Sequence, residues 1–148
     1  MTIIDSEQAV ITAIYHRLTT DADLQVAAGT NPPRLHLLWA PENSPFPYIT
    51  HSLDIDVVRD VIIPATWRVD IWDYSPNASR TYQIRRRIIE LMDNFFLPVT
   101  LDAAVQHIRM TFAAGGMIGT DAANVWRYGL AFACLFTRSG EIRRIGDR

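Results

Sequence analysis

The stretch "TWRVDIWDYSPNASRTYQIRRRIIELMDNFF", residues 66–96, contains a change of hydrophobic period from that of a strand to that of a helix. Its first part, Thr66–Tyr74, alternates apolar and polar residues, as a half-buried strand does. The apolar residues that follow recur at helical spacing over about half a helical wheel. They predict a helix over Ala78–Phe96, ended by Pro98. A strand followed directly by an amphipathic helix predicts helices packed on a sheet.

Similar signals on both sides of this stretch predict the remaining elements. Apolar residues at three-and-four spacing predict helix Glu7–Leu18, capped by Asp5 or Ser6, and "DADLQVAAG" predicts a short helix closed by Gly29. The result is an α+β domain, with two main helices packed on a mainly antiparallel sheet of about four to five strands. The strands are predicted at Leu35–Leu38, Tyr48–Leu53, Thr66–Tyr74, Ala104–Ala113 and Val125–Thr137.

Two connections and one helical residue are unusual for a monomer. Asp54–Pro64 mixes acidic and β-branched residues, which predicts a long hairpin arm, with Pro64 breaking the ladder before the next strand. The glycine-rich Gly115–Asn124 predicts a mobile tip for the last hairpin. Arg85 projects from within the apolar arc of its helix. In the last strand, small residues opposite the bulky face admit close approach of a helix or another subunit.

Length and composition fit a single domain spanning residues 1–148, with the polar, basic end 139–148 predicted to be flexible. The chain is 49% hydrophobic and 20% charged, and its net charge of −2 argues against a general nucleic-acid binder. Neither a signal sequence nor an apolar window of membrane-spanning length is present, which predicts a soluble, unexported protein. Cys134, the single cysteine, lies in an apolar run and is predicted to be a buried thiol.

No catalytic or ligand-binding pattern emerges from the candidate residues. His36, His51 and His107 lack the spacing of a metal-ligand motif, and the chain has neither a G-x-S-x-G elbow nor a phosphate-binding loop. We therefore predict a protein that is not an enzyme and has no cofactor. A ligand-binding domain or small enzyme, with a pocket lined by Trp72, Tyr74 and His107, is the alternative from a different class. The acidic side chains are predicted to be solvated or to pair with arginines across subunits, at Asp54, Asp56, Asp60, Asp70 and Asp73.

Three segments together resemble one known family. They are "RLHLLWAPENSPFPYITHSL", "WRVDIWDYSPNASRTYQIRRRIIELMDN" and "WRYGLAFACLFTR", and their order and spacing resemble the tail-completion, or tail terminator, proteins of long-tailed phages and phage-derived gene transfer particles. The similarity extends from Ile11 to Arg138. It implies an α+β subunit of a ring, commonly hexameric, at the head-proximal end of the tail tube. Such a ring stops tube growth, offers a surface to the head connector and has no catalytic residues.

The resemblance also implies partners and a place in the particle. The partners are further copies of the chain, the tail tube protein and a head-side connector or stopper, and DNA passes through the lumen without specific binding. The expected location is the tail–neck junction of the virion, and the host cytoplasm during assembly. Another neck protein, a stopper or adaptor, is the nearer alternative. Under this reading, Pro45 and Pro47 fix how the second strand enters the sheet, and His51 is an ordinary polar strand residue.

The subunit seams of such a ring are predicted to use the arm, the hairpin tip and Arg85. Apolar arm residues could cover a neighbour, and an arm carboxylate could receive an arginine. The predicted interface residues are Asp56, Val57, Asp60, Val61, Ile62, Arg85, Gly116, Met117 and Ile118.

Overall fold

The computed structural model describes residues 3–55, 62–98 and 105–138. The helices are α1 (Ile3–Thr19), α2 (Ala22–Ala28) and α3 (Ser79–Met92). The strands form one sheet in the order β1-β2-β3-β6-β5-β4, in which β1 runs parallel to β2 and the other neighbours are antiparallel. The predicted α+β class is confirmed. The strand bounds are β1 (Leu35–Leu37), β2 (Tyr48–Ile55), β3 (Ile62–Tyr74), β4 (Phe95–Pro98), β5 (Val105–Ile118) and β6 (Val125–Arg138).

One face of the sheet, which we call the helix face, is buried under the helices. The alternation predicted for β3 is confirmed, because Trp67, Val69 and Ile71 are buried on this face. Phe132 of β6 and Ile88 of α3 are fully buried in the same core. The opposite side, the open face, carries the partly exposed alternate residues. Among the described residues, no helix is long and apolar enough to cross a bilayer.

The predicted end of α2 at Gly29 is confirmed, and Asp21 caps its start. The Asp21 carboxylate accepts a hydrogen bond of 2.8 Å from the Leu24 amide, satisfying a donor that a helix start leaves free. Gly29 ends the helix with a left-handed backbone, φ 72°, which glycine adopts without a steric cost. The start of α1 was predicted wrongly, since the helix begins at Ile3 and Asp5 and Ser6 lie inside it.

The end of α3 was also predicted wrongly, because the helix stops at Met92 rather than continuing to Phe96 and Pro98. Asp93 is extended, and its carboxylate accepts a hydrogen bond of 2.7 Å from the Phe112 amide of β5. Asn94 then adopts a left-handed φ of 49°, which turns the chain into β4. Phe95–Pro98 therefore forms a strand beside β5 that the helical spacing of its aromatic residues concealed.

In both hairpins, the paired strands are longer than predicted and the connections between them are shorter. β2 continues to Ile55 and β3 begins at Ile62, so the predicted arm is the connection between two paired strands. Pro64 lies inside β3 opposite Leu135 and does not break the strand, because near a strand start its missing N–H removes at most about one ladder bond. In the last hairpin, Gly115–Ile118 belongs to β5 and pairs with β6, so the predicted tip was too long and the connection is residues 119–124.

A steric requirement explains glycine at position 115. A Cβ added there would lie 2.9 Å from Leu130 Cδ2 and 3.2 Å from the Gly129 carbonyl oxygen. At Gly116, by contrast, an added Cβ would meet nothing within 4 Å. The first glycine therefore permits close packing inside a strand, and the second has no steric reason among the described residues.

Candidate interaction surface

The predicted interface residues lie in two separate regions. Ile62, at the base of the arm, is 59% exposed and pairs with Thr137 near the end of β6. Met117 is 38% exposed and pairs with Tyr128 near the start of β6. Thr137 lies nine positions after Tyr128 on β6, about 30 Å at strand spacing. The structure therefore does not unite these residues in one patch. Asp56, Val57, Asp60 and Val61 lie outside the described residues.

Arg85 is held by two tyrosines of its own chain. Its Nη1 donates a hydrogen bond of 3.1 Å to Tyr128 Oη. Its guanidinium carbon lies 5.5 Å from the Tyr82 ring centroid and 5.3 Å from the Tyr128 centroid, within cation–π range. The Nε of Arg85 is buried without a hydrogen-bond partner among the described residues. These contacts explain how an arginine fits the apolar arc of α3, and they place it beside the strand row that contains Met117.

The rest of the predicted set lies on the distal part of β5, which we define as Ala113–Ile118. Gly116 is opposite Gly129, and Ile118 is opposite Arg127. Because directly opposed residues share a face, both point to the open face, as does Asp70 opposite Gly129 on β3. The small residues expected to share one face of β6 do so. The structure therefore brings Gly116 and Ile118 to the open face and leaves Met117 on the helix face.

A groove of about 530 Å³ crosses the open face of the sheet. It is open to solvent and has a floor of small residues, so close approach of another chain is sterically possible. Its rim is polar, with Arg127 Nη2 donating to Asp70 Oδ2 at 2.8 Å. The floor residues are Ala114, Gly116, Gly129 and Ala131.

An aromatic row beside the groove was not predicted from the sequence. Phe46 stacks on Tyr48 at 5.2 Å between centroids, and Tyr48 stacks on Trp72 at 6.0 Å. The Arg127 guanidinium completes the row, 4.7 Å from the Trp72 ring centroid. Arg34 donates to the Phe46 carbonyl at 3.1 Å, which fixes the proline loop in front of β2 as the prolines had suggested. Cross-strand register, which the sequence does not contain, creates this row.

Of the residues predicted to line the pocket of the enzyme alternative, Trp72 and Tyr74 lie on the open face of the sheet, away from α3. Trp72 is occupied by Tyr48 and Arg127, Tyr74 is 57% exposed, and the His107 side chain lies outside the described part of the structure. Within the described residues, no group of three or more histidine, cysteine or acidic side chains could hold a metal ion.

His51 is more deeply buried than an ordinary polar strand residue. It is 4% exposed on the helix face, where its Nδ1 accepts a hydrogen bond of 3.0 Å from Trp67 Nε1. Burial lowers the pKa of His51 from 6.5 to about 4, because the charged imidazole would lose its hydration. The imidazole is therefore a neutral, structural hydrogen-bond acceptor.

The three predicted carboxylates that the structure describes, Asp54, Asp70 and Asp73, pair with arginines of the same chain. Asp54 lies 3.2 Å from Arg68, with both side chains exposed, so this pair contributes little stability. Asp73 is fully buried, contrary to the prediction of a solvated or inter-subunit role, and accepts two hydrogen bonds from Arg80. This bidentate contact raises the pKa of Arg80. Asp60 and Asp56 lie in the undescribed arm.

A second bidentate pair joins two helices. Arg87 donates to both carboxylate oxygens of Asp21, at 2.8 and 2.7 Å, and also lies 3.3 Å from Glu90. The Arg87 bond lowers the pKa of Asp21, the N-cap of α2. Helix α3 is therefore attached through Arg87 to the start of α2.

Comparison with known proteins supports a shared fold. No protein-family model matches the chain, and no curated protein matches it. A chain from the virion of a native gene transfer agent particle is similar with a TM-score of 0.69 at 14% identity, covering 85% of this chain and 92% of that one. A second solved chain, whose name states no function, has a TM-score of 0.58 at 13% identity, with coverages of 86% and 94%. The chain therefore has a fold that is also found in a component of a gene transfer agent virion.

Proposed function

We propose that this protein is a structural virion protein that forms a ring on the head-proximal end of a tail tube. The ring ends polymerisation of the tube and joins the tail to the head connector. The observation that carries the proposal is the similarity in fold to a chain of a gene transfer agent virion, over most of both chains. The order of the three sequence segments that resemble tail terminators supports the same role.

Exposed apolar groups also support assembly. Leu37, Leu38 and Trp39 are 46%, 59% and 75% exposed in consecutive positions. Contiguous apolar surface of this kind marks interaction sites in soluble proteins. A closed ring covers such surfaces and leaves none free for further growth, as termination of a tube requires.

The proposed partners are further copies of the chain, the tail tube protein and a head-side connector or stopper. DNA passes through the lumen without specific binding, and we expect a neutral or mildly acidic lumen wall, in keeping with the net charge of −2. The seam role of Arg85 and of the arm belongs to this proposal. Arg85 is half-buried, so its guanidinium edge is available to a neighbour's carboxylate.

Deletion of the gene from a producing strain tests the role. Without a terminator, tube growth has no stop, so we expect tails of abnormal and widely spread length in negative-stain micrographs, restored by complementation. Tails of normal length that fail to join heads would indicate a stopper or adaptor instead. Intact particles of normal length would contradict both neck roles.

A further inference from the structure

The distal part of β5, Ala113–Ile118, is a sheet edge that the described residues leave uncovered. Strand β4 covers β5 only over His107–Met110. The next outward-pointing amide, that of Phe112, donates to the Asp93 carboxylate. After the register shift between Phe112 and Ala114, β5 pairs regularly with β6. In an antiparallel ladder, alternate residues bond to the same neighbour. Ala114, Gly116 and Ile118 therefore bond to β6, and the N–H and C=O groups of Gly115 and Met117 point outward.

This edge lacks the usual protection against pairing with another chain. Sheet edges of soluble proteins are commonly blocked by charged side chains or prolines. The distal part of β5 reads Ala-Ala-Gly-Gly-Met-Ile and contains neither. Its backbone is therefore open to a further strand.

Strand β1 forms the opposite edge of the sheet. On its inner side, the Arg34 carbonyl accepts a hydrogen bond from Ile49, and the Leu38 amide donates to His51, both at 2.8 Å. In a parallel ladder, alternate residues bond to the same neighbour, so Leu35 directs its N–H and C=O groups outward and Leu37 directs its N–H outward. The Leu37 carbonyl accepts a hydrogen bond of 2.9 Å from the Trp39 amide. Among the described residues, no strand lies on that outer side.

The two open edges lie at the same level of the sheet. One row of paired residues runs from Gly116 through Gly129, Asp70 and Thr50 to His36. Strand directions along the row show that β1 and β5 are antiparallel to each other. A second copy in the same orientation can therefore set its β1 beside β5 without a shift along the strands.

We infer that copies of this chain join by antiparallel pairing of β1 of one copy with the distal part of β5 of the next. Leu37 then lies opposite Gly115 and Leu35 opposite Met117. The outward N–H and C=O groups of Leu35 and Met117 face each other, and the Leu37 N–H faces the Gly115 carbonyl. The contact joins two different edges, and such a heterologous contact closes a ring when its rotation permits. The inference rests on the proposed function for its biological setting, and it gives that ring a continuous sheet.

Gly116 provides independent support for a second copy as the occupant. It faces open space within its own chain, and in the joined sheet it lies opposite His36. The His36 ring packs edge-on against Tyr48, 6.1 Å between centroids, on the open face. A residue without a side chain at position 116 gives that neighbouring pair room. Every copy carries both open edges, β1 and the distal part of β5, at the same level of the sheet and in opposite strand directions. The partner that fits each edge is therefore another copy of the chain.

Disulfide trapping of His36→Cys, Gly116→Cys tests the contact. These residues form the non-hydrogen-bonded pair of the proposed ladder, whose Cα separation of about 4.5 Å suits a disulfide. Within one chain, four strand spacings separate β1 from β5, about 19 Å, which excludes an intrachain bond. We expect mild oxidation of the concentrated double variant to give a series of covalent multimers on a non-reducing gel. Cys134 is buried and stays reduced.

The single variants are the matched controls. His36→Cys alone and Gly116→Cys alone should give no more than trace dimers, because each edge meets the other and not itself. Absence of covalent multimers from the folded double variant would overturn the inference. Equally strong dimers from either single variant would also overturn it, since they would indicate a symmetric contact of one edge with itself.

A proline substitution separates edge pairing from folding. Met117→Pro, added to the double-cysteine variant, removes an outward N–H without removing a bond to β6. The covalent multimers should therefore be lost while circular dichroism is unchanged. Ile118→Ala in the same background should still give the multimers. Multimers that survive Met117→Pro would contradict the backbone pairing.

The trapping experiment and the gene deletion can fail separately. If the deletion strain makes tails of abnormal length but the double-cysteine variant gives no multimers, only the strand pairing is rejected. If the variant gives multimers but the deletion strain makes normal tails, only the terminator role is rejected.

Discussion

Replacement of His51 by asparagine should flatten the acid sensitivity of the fold. In the native state, burial lowers the pKa of His51 to about 4, while the unfolded chain has the ordinary value of 6.5. Between these values the unfolded state binds more protons, so stability is fully present above pH 6.5 and is lost as the pH falls toward 4. At about 1.4 kcal/mol for each tenfold change in proton affinity, the full loss is about 3 kcal/mol.

Protonation also removes a specific contact. His51 Nδ1 accepts the indole N–H of Trp67, and a proton on Nδ1 would set two donors against each other. Asparagine is the matched replacement, because its Oδ1 can occupy the acceptor position without titrating. The constant cost of the smaller side chain does not change with pH, so the difference in slope isolates the imidazole.

Urea unfolding at pH 7, 6, 5 and 4, followed by tryptophan fluorescence, measures the effect. The wild-type free energy of unfolding should fall by about 3 kcal/mol more than that of His51→Asn over this range. Acidic groups contribute equally to both proteins and cancel in the comparison. Parallel profiles of the two proteins would refute the assignment of a buried, neutral histidine.

Three further predictions concern packing and pairing. Arg87→Gln should lower the free energy of unfolding by about 1–2 kcal/mol, because it breaks the bidentate bond to α2. The control Arg86→Gln, at an exposed position of the same helix, should change it by less than about 0.5 kcal/mol, and equal losses in urea titrations would contradict the pairing. Gly115→Ala should cost about 1 kcal/mol or more through overpacking, and Gly116→Ala should leave monomer stability unchanged; the reverse order in thermal unfolding would contradict the packing. Burial raises the pKa of Cys134 to about 12, so an aromatic disulfide reagent at pH 8 should label it only after denaturation, and rapid labelling of the native protein would contradict its burial.

Local patterns predicted the elements whose signals lie within a few residues. The alternation of Thr66–Tyr74 and the Gly29 end of α2 were predicted correctly, because hydrophobic period and helix termination by glycine are local effects. Strand β4 was missed because Phe95 continues the helical spacing of α3, and the bond between Asp93 and Phe112 that redirects the chain is long-range. Glycines at 115 and 116 predicted a turn, yet they lie in a paired strand.

The candidate surface was less predictable than the fold. Arg85 was recognised as unusual, but the two tyrosines that hold it are brought together only by packing of α3 on β6. The aromatic row, the buried Asp73 and the common level of β1 and distal β5 all depend on cross-strand register. A single sequence does not specify register when the connections between strands are long.

Electron microscopy of assembled particles would show directly whether this chain forms the ring at the end of the tail tube. The measurement is the position and copy number of this chain in particles from the producing strain, with density assigned through the fold described for residues 3–55, 62–98 and 105–138. We expect a closed ring of this chain between the last tube ring and the head connector. Absence of the chain from particles, or its location at the baseplate end of the tail, would contradict it.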